Sequence, residues 1–267
     1  MPELVTINIK DHIADVRLNR PDKYNALSPA MFKAVIAAGK AVAEDRSIRA
    51  VVLSGEGRGF CAGLDFQGFI EMGKSKNGGI DLLQRTKDSP ANTAQMPGYI
   101  WKQVPVPVIA AVHGVAFGGG LQIALGADIR LASPDARLSV MEITWGIIPD
   151  MSATQTLRDL VRLDIAKELT FTGRIVDAAE AAQLGLVTRV CDDPLAEAHT
   201  LAREIAAKSP HAIAAAKQLL ETAWHSTIEE GLKLEEALQR TLIGTPNQIE
   251  AATAKFEKRP PEFSDRE

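Results

Sequence analysis

Apolar and polar residues alternate near the N-terminus, over Leu4–Lys10 and Ile13–Leu18. This period-two pattern predicts two strands, and the short connection at residues 11–12 predicts that they form a hairpin. Arg49–Ser54 and Val108–Val112 are instead short runs of almost continuous apolar residues. Such runs are typical of strands buried on both faces, so we expect these two inside a parallel sheet.

The apolar spacing becomes helical over residues 28–43. Ser28 occupies the position of an N-cap there, and a proline follows at the first helical position. A second helix is predicted to open at Leu121–Leu125, directly after a glycine-rich loop. From Ser152 onward the pattern is mostly helical, interrupted by one short strand predicted at Leu186–Val190.

Strands that alternate with helices and short glycine loops indicate an α/β core with parallel pairing. We place this core at residues 1–190 and a helical C-terminal part at residues 191–267. Residues 67–103 have weak periodicity and many turn-forming residues, which is typical of segments near binding sites. In the C-terminal part, Ile228–Leu242 carries an apolar stripe that must be buried against the core or against a neighbouring subunit.

The composition excludes several classes of protein. The 267 residues carry 30 Lys and Arg against 34 Asp and Glu, a net charge of −4, and 46% of them are hydrophobic. We therefore expect a soluble protein that binds neither nucleic acid nor membrane. Cys61 and Cys191 form no CxxC pair, so neither a disulfide framework nor a zinc site is expected. The N-terminus lacks an apolar signal region, so a cytoplasmic protein is predicted.

Two glycine-rich loops each follow a buried strand: GEGRGFCAGLD at residues 55–65 and GVAFGGGLQ at residues 114–122. Glycines let the backbone approach a ligand, and two N–H groups, one from each loop, could polarise one carbonyl oxygen as an oxyanion hole. The alternative is a pair of tight strand-to-helix turns without a ligand. Neither loop completes the GxGxxG pattern of a dinucleotide site, because Phe60 and Ile123 stand where its third glycine belongs.

The segment LSVMEITWGIIPDMS, residues 138–152, holds two acidic candidates, Glu142 and Asp150, among large apolar side chains. Such surroundings raise a carboxyl pKa and suit the group to proton transfer near neutral pH. The alternative makes Glu142 a surface strand residue and Asp150 the cap of the following helix. We interpret His113 as a hydrogen-bonded structural histidine and Cys61 as a small packed residue.

Five segments occur in the order and spacing of the crotonase superfamily, the enoyl-CoA hydratase/isomerase family, which the chain resembles from about residue 4 to residue 264. They are LNRPDKYNAL (18–27), GRGFCAGLD (57–65), PVIAAVHGVAFGGGLQIALGADIRLA (107–132), MEITWGIIPD (141–150) and FEKRPPEF (256–263). The resemblance implies a β–β–α spiral core with a helical C-terminal trimerisation part, assembled as a homotrimer or hexamer. It also implies an acyl-CoA thioester substrate whose enolate is stabilised by two backbone amides.

Carried over position by position, the resemblance assigns these two amides to Leu64 and Gly119. No metal and no separate cofactor is implied, because amides suffice to hold the enolate and coenzyme A is part of the substrate. The implied substrate contacts lie in the same motifs. They are Lys23, Ala26, Leu27, Ala62 and Asp65, which would lie against the CoA adenine and pyrophosphate, together with Gln122 and Trp145.

The acidic positions differ from the hydratase pattern of the family. A hydratase-like member has Glu at both 122 and 142, whereas this chain has Gln122, whose amide cannot accept a proton from water at neutral pH. Asp150 is similar to an acid of dienoyl-CoA isomerase-like members, which carry a further Asp at 122. We therefore expect an isomerase in which Glu142 removes the C2 proton and Asp150 returns a proton further along the chain. The alternatives are hydration of a 2-enoyl-CoA by Glu142, and binding of a CoA ester with little turnover.

Overall fold

The computed structural model describes residues 3–67, 82–85 and 89–267. Its N-terminal hairpin forms as predicted, with β1 (Val5–Lys10) antiparallel to β2 (Ile13–Leu18). Asp11 and His12 at the turn have φ values of 51° and 63°. Two successive positive φ values give the turn a twist that matches the twist of the paired strands.

The remaining strands are β3 (Ala50–Gly55), β4 (Val108–Val112), β5 (Val115–Phe117), β6 (Ile129–Ala132), β7 (Arg137–Ser139), β8 (Val176–Asp177) and β9 (Arg189–Val190). The main sheet has the order β1-β2-β3-β4-β6-β9, and every neighbouring pair after the hairpin is parallel. All five residues of β4 are buried, and so are five of the six residues of β3, which confirms the expected central parallel strands. The last strand, β9, is shorter than the strand predicted at residues 186–190, because only Arg189 and Val190 of that range pair with β6.

A second, three-stranded sheet has the order β5-β7-β8. Its first strand, β5, lies inside the stretch after β4 that the sequence pattern assigned to a glycine loop. Three residues are too few to give a readable strand pattern, and β5 is held by parallel pairing with β7, a partner more than 20 positions away in the chain. This short strand carries the second glycine loop towards the first.

The helices are α1 (Pro29–Glu44), α2 (Met96–Gln103), α3 (Gly119–Leu125), α4 (Ala153–Leu160), α5 (Leu163–Thr172), α6 (Ala178–Leu184), α7 (Pro194–Ala206), α8 (Pro210–Ala223), α9 (Ile228–Leu242) and α10 (Pro246–Glu257). The N-cap of α1 is confirmed, because the Ser28 hydroxyl accepts the N–H of Met31 at 3.3 Å. α3 begins two residues before its predicted start, so the glycine triplet already forms its first turn.

Apolar side chains pack on both faces of the main sheet. On one face, Val52, Ile109 and Leu131 lie in a cluster with Ala198 and Ala202 of α7. Small residues on α7 let the helix lie close to the strands, so α7 is a layer of the core although it follows residue 190. The other face of the sheet packs against a larger cluster that includes α1, α2 and α3.

A buried lysine ties α8 to the core. The Lys217 ammonium donates to Asp128 Oδ2 at 2.7 Å and to the carbonyls of Trp101 and Val106, each at 3.1 Å. Three acceptors around one buried cation offset much of the cost of removing it from water. The first part of the C-terminal chain is thereby anchored to the ends of α2 and β4.

The apolar stripe of α9 is buried only in part within one chain. α9 packs against α8 and half-buries Leu234, Leu238 and Leu242, whereas Ile228 and Leu232 stay exposed. Among the described residues, no helix has the length and apolar character needed to cross a bilayer.

Candidate active site

The two glycine loops are joined by backbone hydrogen bonds. The N–H of Cys61 donates to the Val115 carbonyl at 2.9 Å, and the N–H of Phe117 donates back to the Cys61 carbonyl at 3.0 Å. At the crossing, Gly63 has a φ of 85°, and a Cβ there would lie 2.6 Å from the Phe117 carbonyl oxygen. Glycine is required at this position because any side chain would separate the loops.

The two predicted oxyanion donors, Leu64 and Gly119, flank this crossing. A Cβ at Gly63 would lie 3.6 Å from the Gly119 nitrogen, which shows how closely the second loop approaches the first. Within the described part of the chain, no acceptor takes the backbone N–H of Leu64 or of Gly119. Both donors are therefore available to a ligand oxygen, as an oxyanion hole requires.

A buried asparagine organises the approach to these loops. Asn25 Nδ2 donates to the carbonyls of Glu56, Gly59 and Phe60, each at 3.0 Å, and its Oδ1 accepts the N–H of Arg20 at 2.8 Å. No role was predicted for Asn25 from the sequence. The usable signal was its residue type, since asparagine is among the few residues that adopt positive φ, and Asn25 has a φ of 57°.

Three of the residues predicted to contact CoA present surface beside the first glycine loop. Lys23 is exposed at the end of a 3-10 turn, Pro21–Lys23, and no described carboxylate pairs with it. Ala26 and Ala62 are half-buried. A free ammonium next to small side chains is suited to a phosphate and a flat ring.

The other two predicted CoA contacts, Leu27 and Asp65, are engaged within the chain. Asp65 pairs with Arg20 at 2.7 Å. Leu27 is fully buried, its N–H donates to Gly63 at 2.7 Å, and its carbonyl accepts from Asp65 at 3.1 Å. These two residues hold the shape of the loop at Ala62–Asp65, and Leu27 offers no side-chain surface to a ligand in this conformation.

Glu142 opens a 3-10 turn, Glu142–Trp145, after β7 and is only 6% exposed, which excludes the surface-strand alternative. Its Oε1 lies 3.2 Å from where a Cβ of Gly118 would stand, so the acid lies directly behind the second loop. Its Oε2 is buried and has no hydrogen-bond partner among the described residues. Burial raises the pKa of Glu142, and the nearby charge of Asp150 raises it further. The hydrogen bond from Gln122 acts in the opposite direction and lowers this pKa.

Gln122 lies on α3 and is 1% exposed. Its Nε2 donates to Glu142 Oε1 at 2.6 Å, while its Oε1 accepts the backbone N–H groups of Met151 at 2.8 Å and of Ala153 at 3.1 Å. The side-chain amide is thus engaged at both ends by the protein. That Gln122 contacts substrate or water stays a prediction.

Asp150 is half-buried at the start of the segment that leads into α4, and burial raises its pKa. The alternative role of Asp150 as a helix cap is wrong, because Ser152 is the N-cap residue of α4. The side-chain oxygen of Gln122 accepts the backbone N–H groups of Met151 and Ala153 at the start of this helix. Asp150 borders a cavity of about 410 Å³, a size that suits a small-molecule ligand. Described residues of the segment 67–103, which we expected to lie near a binding site, line this cavity, namely Arg85, Pro90, Ala91, Gln95 and Tyr99. Residues 68–81 and 86–88 lie outside the described ones.

The remaining candidate residues are Trp145, Cys61 and His113. Trp145 is 56% exposed, and its ring centroid lies 4.0 Å from the ring centroid of Phe66. Trp145 therefore forms part of an apolar surface beside Glu142. Burial raises the pKa of the Cys61 thiol to about 12, which keeps it protonated and confirms a packed residue. His113 Nε2 lies 3.0 Å from the Gly57 carbonyl, as a structural histidine would.

The geometry defines an α/β fold with a paired-amide site and a buried acid behind it. A family model described as enoyl-CoA hydratase/isomerase matches residues 8–266. The curated "Probable enoyl-CoA hydratase" of Mycobacterium bovis is 33% identical over 99% of both chains. The mitochondrial Delta(3,5)-Delta(2,4)-dienoyl-CoA isomerase of Dictyostelium discoideum is 33% identical over 96% of this chain and 89% of its own.

A solved structure supports the same assignment. The enoyl-CoA hydratase from Bacillus anthracis is similar to this chain with a TM-score of 0.86 and 30% identity, over 97% of this chain and 98% of that one. The chain therefore belongs to the enoyl-CoA hydratase/isomerase family and has the crotonase fold. It is an enzyme of that family, and the relatives carry the names of both hydratases and isomerases.

Proposed function

We propose that the enzyme shifts a double bond in an enoyl- or dienoyl-CoA thioester by way of an enolate. One observation carries this proposal: at the crossing of the glycine loops, the N–H groups of Leu64 and Gly119 and a buried oxygen of Glu142 all lack hydrogen-bond partners among the described residues. The donors are suited to a thioester oxygen that becomes negatively charged, and the acid is suited to removing the C2 proton that makes it so. Amides and carboxyls suffice for this chemistry, so it involves no metal and no redox cofactor.

In the first step, Glu142 Oε2 takes the proton from C2, and the C–H electron pair forms the C1–C2 double bond of the enolate. The oxyanion is held by the N–H groups of Leu64 and Gly119. In the second step, Asp150 donates a proton to the far end of the conjugated system while the enolate electrons return to the carbonyl. This step requires Asp150 to start protonated, and burial shifts its pKa in that direction. The enzyme is reset when Glu142 gives up its proton and Asp150 regains one through solvent.

Hydration of a 2-enoyl-CoA is the second candidate, and it is favoured by the names of several relatives. In that reaction Glu142 alone would serve as acid and base. Gln122 argues against it, because a second acid is absent from the position next to Glu142. A CoA-ester-binding protein with little turnover is a third candidate, and the two perturbed carboxyls, Glu142 and Asp150, argue against it.

Single substitutions of the two acids separate these candidates. Glu142→Gln should lose deuterium exchange at C2, because no base remains there. Asp150→Asn should keep that exchange but lose the isomerised product by at least roughly 100-fold, the scale of general acid catalysis. Each variant is incubated with a 3-enoyl-CoA in D2O and followed by NMR. Full formation of the isomerised product by Asp150→Asn would refute the two-acid mechanism and leave Glu142 acting alone.

We also propose that the chain assembles as a trimer or hexamer. The support is the C-terminal surface, where large apolar side chains remain exposed, including Phe256 at 87% and Ile228 at 84%. Large apolar side chains that stay exposed in a single chain are typical of subunit interfaces when they form a patch. Light scattering at micromolar concentration should give the mass of three or six chains, and the mass of a single chain would refute the proposal.

A further inference from the structure

The side-chain amide of Gln122 connects three separate parts of the site. Gln122 is on α3, it donates to Glu142 after β7, and it accepts from the backbone at Met151 and Ala153 before and at the start of α4. Because its oxygen takes two backbone N–H groups, its nitrogen must face the Glu142 carboxyl. The orientation of the amide is therefore determined by its partners.

The contact with α4 replaces an ordinary helix cap. Ser152 occupies the N-cap position with a φ of 73° and makes no capping hydrogen bond with its side chain. The donors at the start of α4 are instead satisfied by the Gln122 oxygen, which comes from a different helix. Asp150 directly precedes the first of these donors, so the position of its backbone depends on this contact.

We propose that Gln122 is a positioning residue that holds Glu142 and the Asp150 segment in a fixed relative arrangement and keeps Glu142 ready to accept a proton. The inference rests on the proposed role of Glu142 as the base. Its chemical basis is that an amide N–H donates to a carboxylate and thereby favours the ionised form. Without this donor, Glu142 would be a buried carboxyl beside Asp150 with no side-chain donor among the described residues to either oxygen.

A glutamate at this position would reverse the effect on Glu142. Its one oxygen could still accept the two backbone N–H groups, so the segment before α4 would remain in place. Its other oxygen would stand 2.6 Å from Glu142 Oε1, where two ionised oxygens cannot remain without a proton between them. The two backbone donors would favour the ionised form of the new acid, so the shared proton would stay mainly on Glu142.

The carboxyl of Glu142 faces few other groups that could account for a change in its titration. It faces its own backbone N–H, the Gln122 amide on α3 and the backbone of Gly118 in the second glycine loop, and from the segment before α4 it faces the carboxyl of Asp150. Among the described residues, Asp150 is the charged group that raises the pKa of Glu142. Gln122→Glu keeps the acceptor oxygen that holds the segment of Asp150, so its effect on the titration of Glu142 comes from the group that replaces the amide nitrogen.

The test is a direct titration of Glu142 by ¹³C NMR in protein labelled at glutamate Cδ, with the resonance assigned by its loss in Glu142→Gln. In Gln122→Met, the pKa of Glu142 should rise by about one pH unit, since the donor to its charged form is gone. In Gln122→Glu it should rise further. The exposed Gln239 provides the matched control, and Gln239→Met should leave the titration unchanged.

An unchanged pKa of Glu142 in Gln122→Met and Gln122→Glu would overturn the inference. If Gln122→Met fails to fold, Gln122→Glu decides alone, because it keeps both acceptor contacts to α4. In a second measurement, the acid limb of C2 deuterium exchange with butyryl-CoA should move to higher pH in the same order, which a purely structural role would not cause. Absence of exchange in the wild type, with the expected titrations, would refute the proposed function of Glu142 and leave the positioning role intact.

Discussion

Replacing Glu142 by glutamine should make the protein more stable while it removes the proposed base. In the folded chain this carboxyl is 6% exposed, and one of its oxygens has no partner among the described residues. A glutamine keeps an oxygen that can accept from Gln122, and it removes a buried charge. The gain comes from the lost charge, because the amide nitrogen at the position of Oε2 stays without a partner, and roughly 1–3 kcal/mol is the scale of one unfavourable buried polar group. For a chain of this size, each kcal/mol raises Tm by about 2–4 °C.

The pH dependence gives the sharper form of this prediction. The pKa of Glu142 is raised in the folded state, so the folded protein binds this proton more tightly than the unfolded chain does. Its contribution to stability is therefore greatest in acid and is lost as the pH rises through the folded pKa. Because glutamine does not titrate, the advantage of Glu142→Gln should be full above that pKa and should shrink as the pH falls below it.

Urea denaturation from pH 5 to pH 8, at one protein concentration, measures this difference. Glu204 is exposed on α7, and Glu204→Gln is the matched control that should change stability little at any pH. A lower stability of Glu142→Gln near neutral pH would refute the reasoning. So would a gain that does not depend on pH, because it would show that the buried charge is not its source.

Two further predictions concern binding and the core. Lys23→Ala should weaken CoA binding, as measured by calorimetry, by roughly 1–2 kcal/mol, the scale of one charge-assisted contact. Lys40, exposed on α1, provides the control variant Lys40→Ala. Equal CoA affinities of the two variants would contradict the placement of CoA. Lys217→Met should lower the free energy of unfolding by about 3 kcal/mol, because it leaves Asp128 and two carbonyls without their buried donor. The exposed Lys233 pairs with Glu229 one turn away, so Lys233→Met should cost little by the same urea assay. Equal losses in both variants would contradict the reasoning.

The parts of the fold that were predictable from the sequence are those set by local rules. The hairpin at residues 11–12, the start of α1 at Ser28 and the buried strand Val108–Val112 all follow from periodicity, caps and turns. The two glycine loops could also be located, since each follows a buried strand. Their contact could not, because it depends on β5, a three-residue strand held by a partner distant in sequence.

The candidate site shows the same division. Glu142 and Asp150 were identifiable as acids in apolar surroundings, and burial raises the pKa of both. Asn25 and the double contact of Gln122 were not, because a hydrogen-bond network depends on which distant backbone groups lie within reach. The same limit explains why the cap of α4 was predicted wrongly. A local rule pointed to Asp150, whereas the acceptor for the N–H of Met151 is Gln122, which lies 29 positions away in the chain.

The central claim is that this enzyme moves a double bond through a thioester enolate. The most direct measurement is product analysis by NMR after the wild-type protein is incubated in D2O with a 2-enoyl-CoA, a 3-enoyl-CoA and a 3,5-dienoyl-CoA. We expect the 3-enoyl or 3,5-dienoyl thioester to be converted to its conjugated isomer, with the remaining C2 hydrogen partly exchanged for deuterium. Formation of only a 3-hydroxyacyl-CoA from the 2-enoyl thioester, with no isomerised product from the others, would contradict it.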